Sequence, residues 1–473
     1  MVFSSIIFLF YFFPITLILY FICSFSRILQ NTVLLLASLV FYAWGEPYNV
    51  LILIFSILFN SLMGYRVSQG GKRKRKFFLI LTVVVNLGIL FVFKYLGFVW
   101  SLLPDQFQTI DLSIALPIGI SFFTFQALSY VIDVYKGIVP AENPFYVGLY
   151  ISFFPQLIAG PIIQYKTIAT DIRKRKVTFH KFGLGMSRFA VGVIKKVLLA
   201  NCFAGIADNV FGWSAIGTDK YVVPAMLAWL GSIAYMLQIY YDFSAYSDMA
   251  IGLALCFGFK FGENFNYPYV ATSIQDFWKR WHISLTDWFR EYVYFPLGGS
   301  RVQNRDIMVR NLFIVWLLTG IWHGANWTFI LWGMLYFVVQ IAERFFHYPE
   351  KMNIWMRHVY TLFVINIGWV LFRANDLYQA GRYILNMFGL NRNGIYSGLA
   401  LIMLKENWVF LLAGFIFATP IARNVNEYLY RHRNFMTTFA VSICYPVGIM
   451  LLFLLSVGYL ASGSYNPFIY FNF

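Results

Sequence analysis

Charge is scarce in this chain. Asp, Glu, Lys and Arg together make up 12% of its 473 residues, about half of what a soluble domain carries. That shortage excludes a soluble globular protein, and a content of 60% hydrophobic and 21% aromatic residues points instead to a polytopic, all-α membrane protein. No polar block is large enough to fold alone, and apolar runs recur from Phe3 to Leu460. One integral-membrane domain over residues 1–473 is therefore expected, without an appended catalytic domain. Cysteine is sparse too: Cys23, Cys202, Cys256 and Cys444 stand in apolar surroundings with no CxxC or Cys/His spacing, which argues against a disulfide framework or a zinc site. Also missing are a phosphate-binding loop, a GxGxxG after a strand, an HExxH and a GxSxG. Neither a resident metal or cofactor nor a serine nucleophile is expected.

What charge there is has a sign and a pattern. The net charge of +16 comes from short Lys and Arg clusters between apolar spans, the signature of cytoplasmic loops rather than of nucleic-acid binding. Spans are expected near Phe3 to Cys23, Asn31 to Trp44, Tyr48 to Tyr65 and Phe77 to Trp100, with the block Lys72 to Lys76 inside. The first apolar stretch lacks a basic start and a small-residue cleavage site, so it reads as a retained helix with its N-terminus outside. A further span near Ile114 to Val134 follows the loop around Asp105 and Asp111. The stretch Phe145 to Ile163 is broken by Pro155, Gly160 and Pro161; a dip and return keeps the block Arg173 to Lys176 inside. FFPQLIAGP is then a candidate cavity wall, because irregular backbone survives at membrane depth only against protein or water. Later spans are expected near Phe182 to Ala200, Val222 to Tyr241, Val359 to Phe372, Trp408 to Ala422 and Phe439 to Leu460, with Arg431 to Arg433 inside. The C-terminus then lies outside.

Three places put polar chemistry into this apolar frame. Asp242 and Asp248 lie in YYDFSAYSDMAIGL, where carboxylates need partners; a hydrogen-bonded knot between helices is the favoured reading, direct catalysis the lesser one. Asn264 to Arg301 is amphipathic, interleaving Trp278, Trp281 and Trp288 with Lys279, Arg280 and Asp287 around His282. Such a segment belongs on, or tucked into, the cytoplasmic face, and His282 alone reads as a surface ring. LTGIWHGANW, Leu318 to Trp327, plants His323 thirteen residues beyond Arg310, roughly 20 Å into a core of about 30 Å. Gly320, Gly324 and Asn326 suggest that the helix breaks there. His323 is either a functional imidazole or a structural ring bonded to a carbonyl. A transporter built on a broken helix is also open, although matching breaks in two halves of the chain are not evident.

Five ordered blocks decide between these readings: LPIGISFFTFQALSYVIDVYKG (from Leu116), FFPQLIAGP, YYDFSAYSDMAIGL, FWKRWHISLTDWFREYVYFPLGG (from Phe277) and LTGIWHGANW. Together they resemble the membrane-bound O-acyltransferase family, in its bacterial branch of alginate O-acetyltransferase and related polysaccharide acetylation proteins, over nearly the whole chain. The resemblance implies about 10–12 membrane helices plus re-entrant segments around a central funnel, with core motifs over 116–346. It also implies transfer of an acyl group, chiefly acetyl from acetyl-CoA or another cytoplasmic thioester, outward to an extracytoplasmic acetyltransferase or polysaccharide such as alginate, cellulose or peptidoglycan. A related branch transfers D-alanine to teichoic acids. The protein would sit in the bacterial plasma membrane.

By that resemblance the family's two characteristic histidines are His323 and His282. A neutral His323 ring is suited to act as general base. Asn326 and freed backbone N–H groups are candidates for the oxyanion, with Trp322, Asp242 and Asp248 in support. Lys279 and Arg280 beside His282 suit the phosphates of a donor. The ending SYNPFIYFNF, residues 464–473, resembles a C-terminal signature of this group in which Tyr470 would carry the acyl group in transit; the alternative is an aromatic anchor at the outer interface.

Overall fold

Apolar sequence at this density leaves the backbone no solvent to bond to, so it must satisfy its own N–H and C=O groups. Every regular element among the described residues is accordingly a helix. The structure is a computed structural model, and it describes residues 1–108, 114–215, 223–299, 304–432, 434–463 and 465–469. Asp111, Arg433 and Tyr470 lie outside the described residues.

Nine helices among the described residues are long and apolar enough to cross a membrane, so the chain is a multi-pass membrane protein. They include Phe8–Phe25, Arg27–Gly45, Val50–Ser68 and Lys72–Lys94, within a few residues of the spans expected there, and Phe179–Trp213, Ile354–Arg373, Gly398–Phe417 and Phe435–Ala461. The expected count of ten to twelve also took in stretches that now form Ile120–Lys136 and Arg305–His323, and these fall outside the nine.

The chain divides into two compact units. The first comprises Met1–Phe189, Tyr246–Glu263 and Asp287–Val293. Its core is a phenylalanine cluster in which Phe8, Phe41 and Phe154 lie with ring centroids 5.6–6.3 Å apart. Some polar groups inside it are paired: Asn60 and Asn86 exchange amide bonds of 2.8 and 3.1 Å, and Asp133 accepts from the Tyr292 hydroxyl at 3.0 Å. Arg175, placed by its neighbours in a cytoplasmic charge block, is instead buried. Its guanidinium bonds Asn31 Oδ1 at 2.7 Å and the Tyr20 hydroxyl at 3.0 Å. The expected break in Phe145 to Ile163 is present: Pro144–Ser152 ends at Phe153 and a four-residue helix Phe154–Leu157 follows.

The second unit comprises Ala190–Ala245, Asn264–Thr286 and Tyr294–Phe473. Here the segment expected on, or tucked into, a membrane face packs into protein. Phe277, Trp278, Trp281 and His282 are all buried, so the two tryptophans are packing residues and His282 is not the surface ring its neighbours suggest. The charged partners that made the segment look superficial, Lys279 and Arg280, are exposed and half-buried respectively. Alternation of large aromatics with charges therefore reflects a short helix packed on one face.

Candidate active site

Two turns bring the two imidazoles of the second unit to one place. The helix Arg305–His323 stops at His323 because Gly324 takes an extended conformation, φ −171°, and Asn326 then caps Trp327–Phe346 by accepting from the Thr328 N–H at 3.1 Å. The two helices form a tight hairpin. A Cβ on Gly320 would lie 2.6 Å from the Phe329 carbonyl oxygen, and one on Gly333 would lie 2.5 Å from that of Trp316, so glycine at both positions lets the backbones touch. His323 is thereby held at the end of a rigid element, half-buried, with Trp322 and Trp332 at 4.9 Å and Phe372 at 5.1 Å between ring centroids.

His282 sits between the helices Ile274–Arg280 and Ile283–Phe289 with φ +45°. A left-handed conformation costs a non-glycine residue of order 1–3 kcal/mol and clusters at functional sites. The preceding helix is pinned from the hairpin: the Glu343 carboxylate accepts from the Ile274 and Gln275 N–H groups at 2.8 and 3.1 Å. The ring is fixed by Asn264. Its Oδ1 receives the Ser284 N–H at 3.2 Å and the Ser284 hydroxyl at 2.9 Å. A backbone N–H can only donate, so this atom is the amide oxygen, and His282 Nδ1, 3.2 Å away, must carry the proton it donates. Nε2 is then the acceptor nitrogen, and among the described residues it has no hydrogen-bond partner. Burial against Phe243, whose ring centroid is 4.8 Å away, pushes the imidazole from its usual 6.5 down to about 3.

Both rings line one cavity, together with Ile239, Phe243, Trp281, Trp332, Trp369, Phe372 and Ile469. Aromatic faces and two imidazoles give it an apolar wall with few polar contacts, the pattern of a small-molecule site. The wall includes no residue of FFPQLIAGP, which is fully buried in the first unit.

Other residues singled out from sequence lie elsewhere. Asn326 is spent on its cap and on the Asn375 carbonyl at 2.7 Å, and it is not part of the wall. Trp322 packs behind both rings, 6.3 Å from that of His282. Asp248 belongs to the first unit and pairs with Arg188 at 2.9 Å. Lys279 points to the surface, and Arg280 is tied to Asp276 at 2.9 Å. Asp242, one residue before Phe243, forms a buried ion pair with Lys196 at 2.7 Å. Sequence reasoning missed Lys196, although a lysine in an apolar span opposite an aspartate is itself a signal. It also missed Asn264, whose partner is set by a turn that no spacing announces.

These features define a helical, multi-pass membrane protein with two imidazoles on one aromatic cavity. Residues 142–372, which contain both histidines, match the membrane-bound O-acyltransferase family. The chain is 38% identical to a probable alginate O-acetylase of Pseudomonas putida, over 100% of each chain. It is 35% identical to the peptidoglycan O-acetyltransferase of Helicobacter pylori over 83% of this chain and 80% of that one. With the teichoic acid D-alanyltransferase of Bacillus subtilis it shares 29% identity over 50% and 62%. The chain therefore belongs to the membrane-bound O-acyltransferase family and is an O-acyltransferase.

Proposed function

We propose that this protein takes an acyl group, most simply acetyl, from a thioester on the cytoplasmic side and passes it outward for O-acetylation of an extracytoplasmic polysaccharide. The relatives named for alginate and peptidoglycan O-acetylation match more of the chain at higher identity than the D-alanyltransferase does, which favours acetyl over D-alanyl. Acetyl-CoA or an acyl carrier is the donor in this reading. An extracytoplasmic transferase or the polymer itself is the receiver, and the chain lies in the plasma membrane with both ends outward.

The observation that carries the reading is the shared cavity of His282 and His323, closed on one side by Ile469. In the proposed chemistry His323 removes the proton from an attacking hydroxyl, the oxygen adds to the thioester carbonyl, and the carbon–sulfur bond breaks as the thiolate recovers that proton from the imidazolium. His282, neutral with Nε2 as an acceptor, holds the thioester donor by accepting a hydrogen bond from it, because the single proton of the attacking hydroxyl goes to His323. Tyr470 follows Ile469 directly, and its phenol is the proposed first acceptor. The aryl ester so formed has a good leaving group and gives its acyl to the final hydroxyl. The test is thiol release and polymer acetylation by purified protein supplied with acetyl-CoA. His323→Ala is expected to remain folded and to lose both; normal acetylation by that variant sinks the assignment.

A further inference from the structure

The segment 465–469 does not merely end near the cavity; it is fastened there. The Tyr465 hydroxyl donates to Asp208 Oδ2 at 2.9 Å, and Asn201 Nδ2 donates to Asn466 Oδ1 at 3.1 Å. Lys196 Nζ donates to the Pro467 carbonyl, and the Ile469 N–H donates to Asp242 Oδ2 at 2.8 Å. Phe468 and Ile469 are both buried. Lys196 and Asp242 are 2% and 1% exposed, so each charge would be costly without the other and without further hydrogen bonds. Those further bonds come from the tail: beyond their mutual contact, Lys196 gives its proton to a tail carbonyl and Asp242 takes one from a tail amide. Lys196 also lies in a π-helical stretch, Lys195–Ala200, a distortion that recurs at functional sites.

We propose that the Lys196–Asp242 pair is a clasp that fixes the register of the C-terminal segment, so that Ile469, which precedes the proposed relay Tyr470 in sequence, is held in the cavity wall. Docking of the tail gives each member of the pair one backbone hydrogen bond, which makes it a positioning device rather than a catalytic one. Its part in acyl transfer rests on the relay reading of Tyr470; its hold on the tail does not.

The experiment replaces both charges, Lys196→Met with Asp242→Leu, because exchanging a buried pair for apolar groups of similar size is often neutral for folding. Asp242→Asn, which removes one charge but keeps uncharged acceptors for Lys196 Nζ and the Ile469 N–H, is a second variant in case the double one does not fold. Solubilised full-length protein is exposed to a carboxypeptidase and trimming is followed by intact mass. Loss of two charge-assisted backbone bonds should raise trimming beyond Ile469 at least about tenfold in the double variant, with Asp242→Asn in between, and acetyl transfer should fall by a similar factor. Lys196→Arg should restore both. Trimming at the wild-type rate overturns the clasp, and faster trimming with unchanged transfer overturns its role in positioning. Full transfer by Tyr470→Phe, with the clasp variant still impaired, would remove the relay and leave the clasp standing.

Discussion

A direct mechanical link between fold and site is the contact of Gly320 with Phe329, and Gly320→Ala tests it. The added Cβ would sit 2.6 Å from the Phe329 carbonyl oxygen and 3.3 Å from the Ile330 Cα, and these are backbone atoms that cannot rotate away. A carbon–oxygen contact relaxes only at about 3.3 Å, so the hairpin helices must part by roughly 0.7 Å. Alanine regains about 1 kcal/mol over glycine in a helix interior, whereas overpacking costs about 1–3 kcal/mol. The net expectation is a modest loss of stability with a displaced His323. Misplacement of a reacting group by about 1 Å costs about a hundredfold in rate, so acyl transfer should fall about ten- to a hundredfold, out of proportion to the drop in melting temperature. Thermal unfolding in detergent and thiol release from acetyl-CoA measure the two quantities. Gly448→Ala, inside the helix Tyr445–Ala461 with nothing within 4 Å, is the control and should leave transfer unchanged while raising stability by up to about 1 kcal/mol. Wild-type transfer by Gly320→Ala would refute the claim that the close hairpin sets the position of His323.

Three further outcomes follow from the same geometry. His282 takes a proton near pH 3 when folded and near 6.5 when unfolded, so stability should fall as pH drops through that window, by at most about 1.4 kcal/mol per pH unit; unfolding midpoints against pH should lose this slope in His282→Asn, a residue that accepts the left-handed backbone. Asn264→Asp keeps the acceptor on Nδ1 and adds a negative charge, so the acid limb of the transfer rate should move to higher pH; an unmoved limb would show that Asn264 does not tune His282. Asp242→Ala should cost about 3–5 kcal/mol because it strands Lys196 in the core, and Asp248→Ala distinctly less because Arg188 keeps Glu263 at 2.5 Å; denaturant midpoints that rank the two in reverse would contradict the burial argument.

Much of the fold was legible because long apolar runs bounded by Lys, Arg and Gly leave few alternatives to membrane helices. The break at Gly324 and Asn326 was legible for a local reason, an extended glycine followed by a cap. The environment of His282 was not. Its charged neighbours suggested a surface, and only the three-dimensional course of Trp278, Trp281 and Phe243 shows a buried ring. The cavity wall draws Ile239, Trp332, Trp369 and Ile469 from four distant parts of the chain, and periodicity carries no information about which distant aromatics meet. Asp242 was visible alone as an intramembrane charge, Lys196 was passed over within an apolar span, and their pairing depends on tertiary packing. Asn326, read from its motif as a group for the oxyanion, is committed to a helix cap, the more local use of the same side chain.

The most direct measurement is to trap the transferred group. Purified protein is pulsed with isotopically labelled acetyl-CoA in the absence of polysaccharide, and the C-terminal peptide is weighed by mass spectrometry. The wild type should carry one labelled acetyl group on Tyr470 that is discharged on addition of acceptor, and His323→Ala should carry none. Labelled polymer formed at the normal rate by His323→Ala would contradict the account.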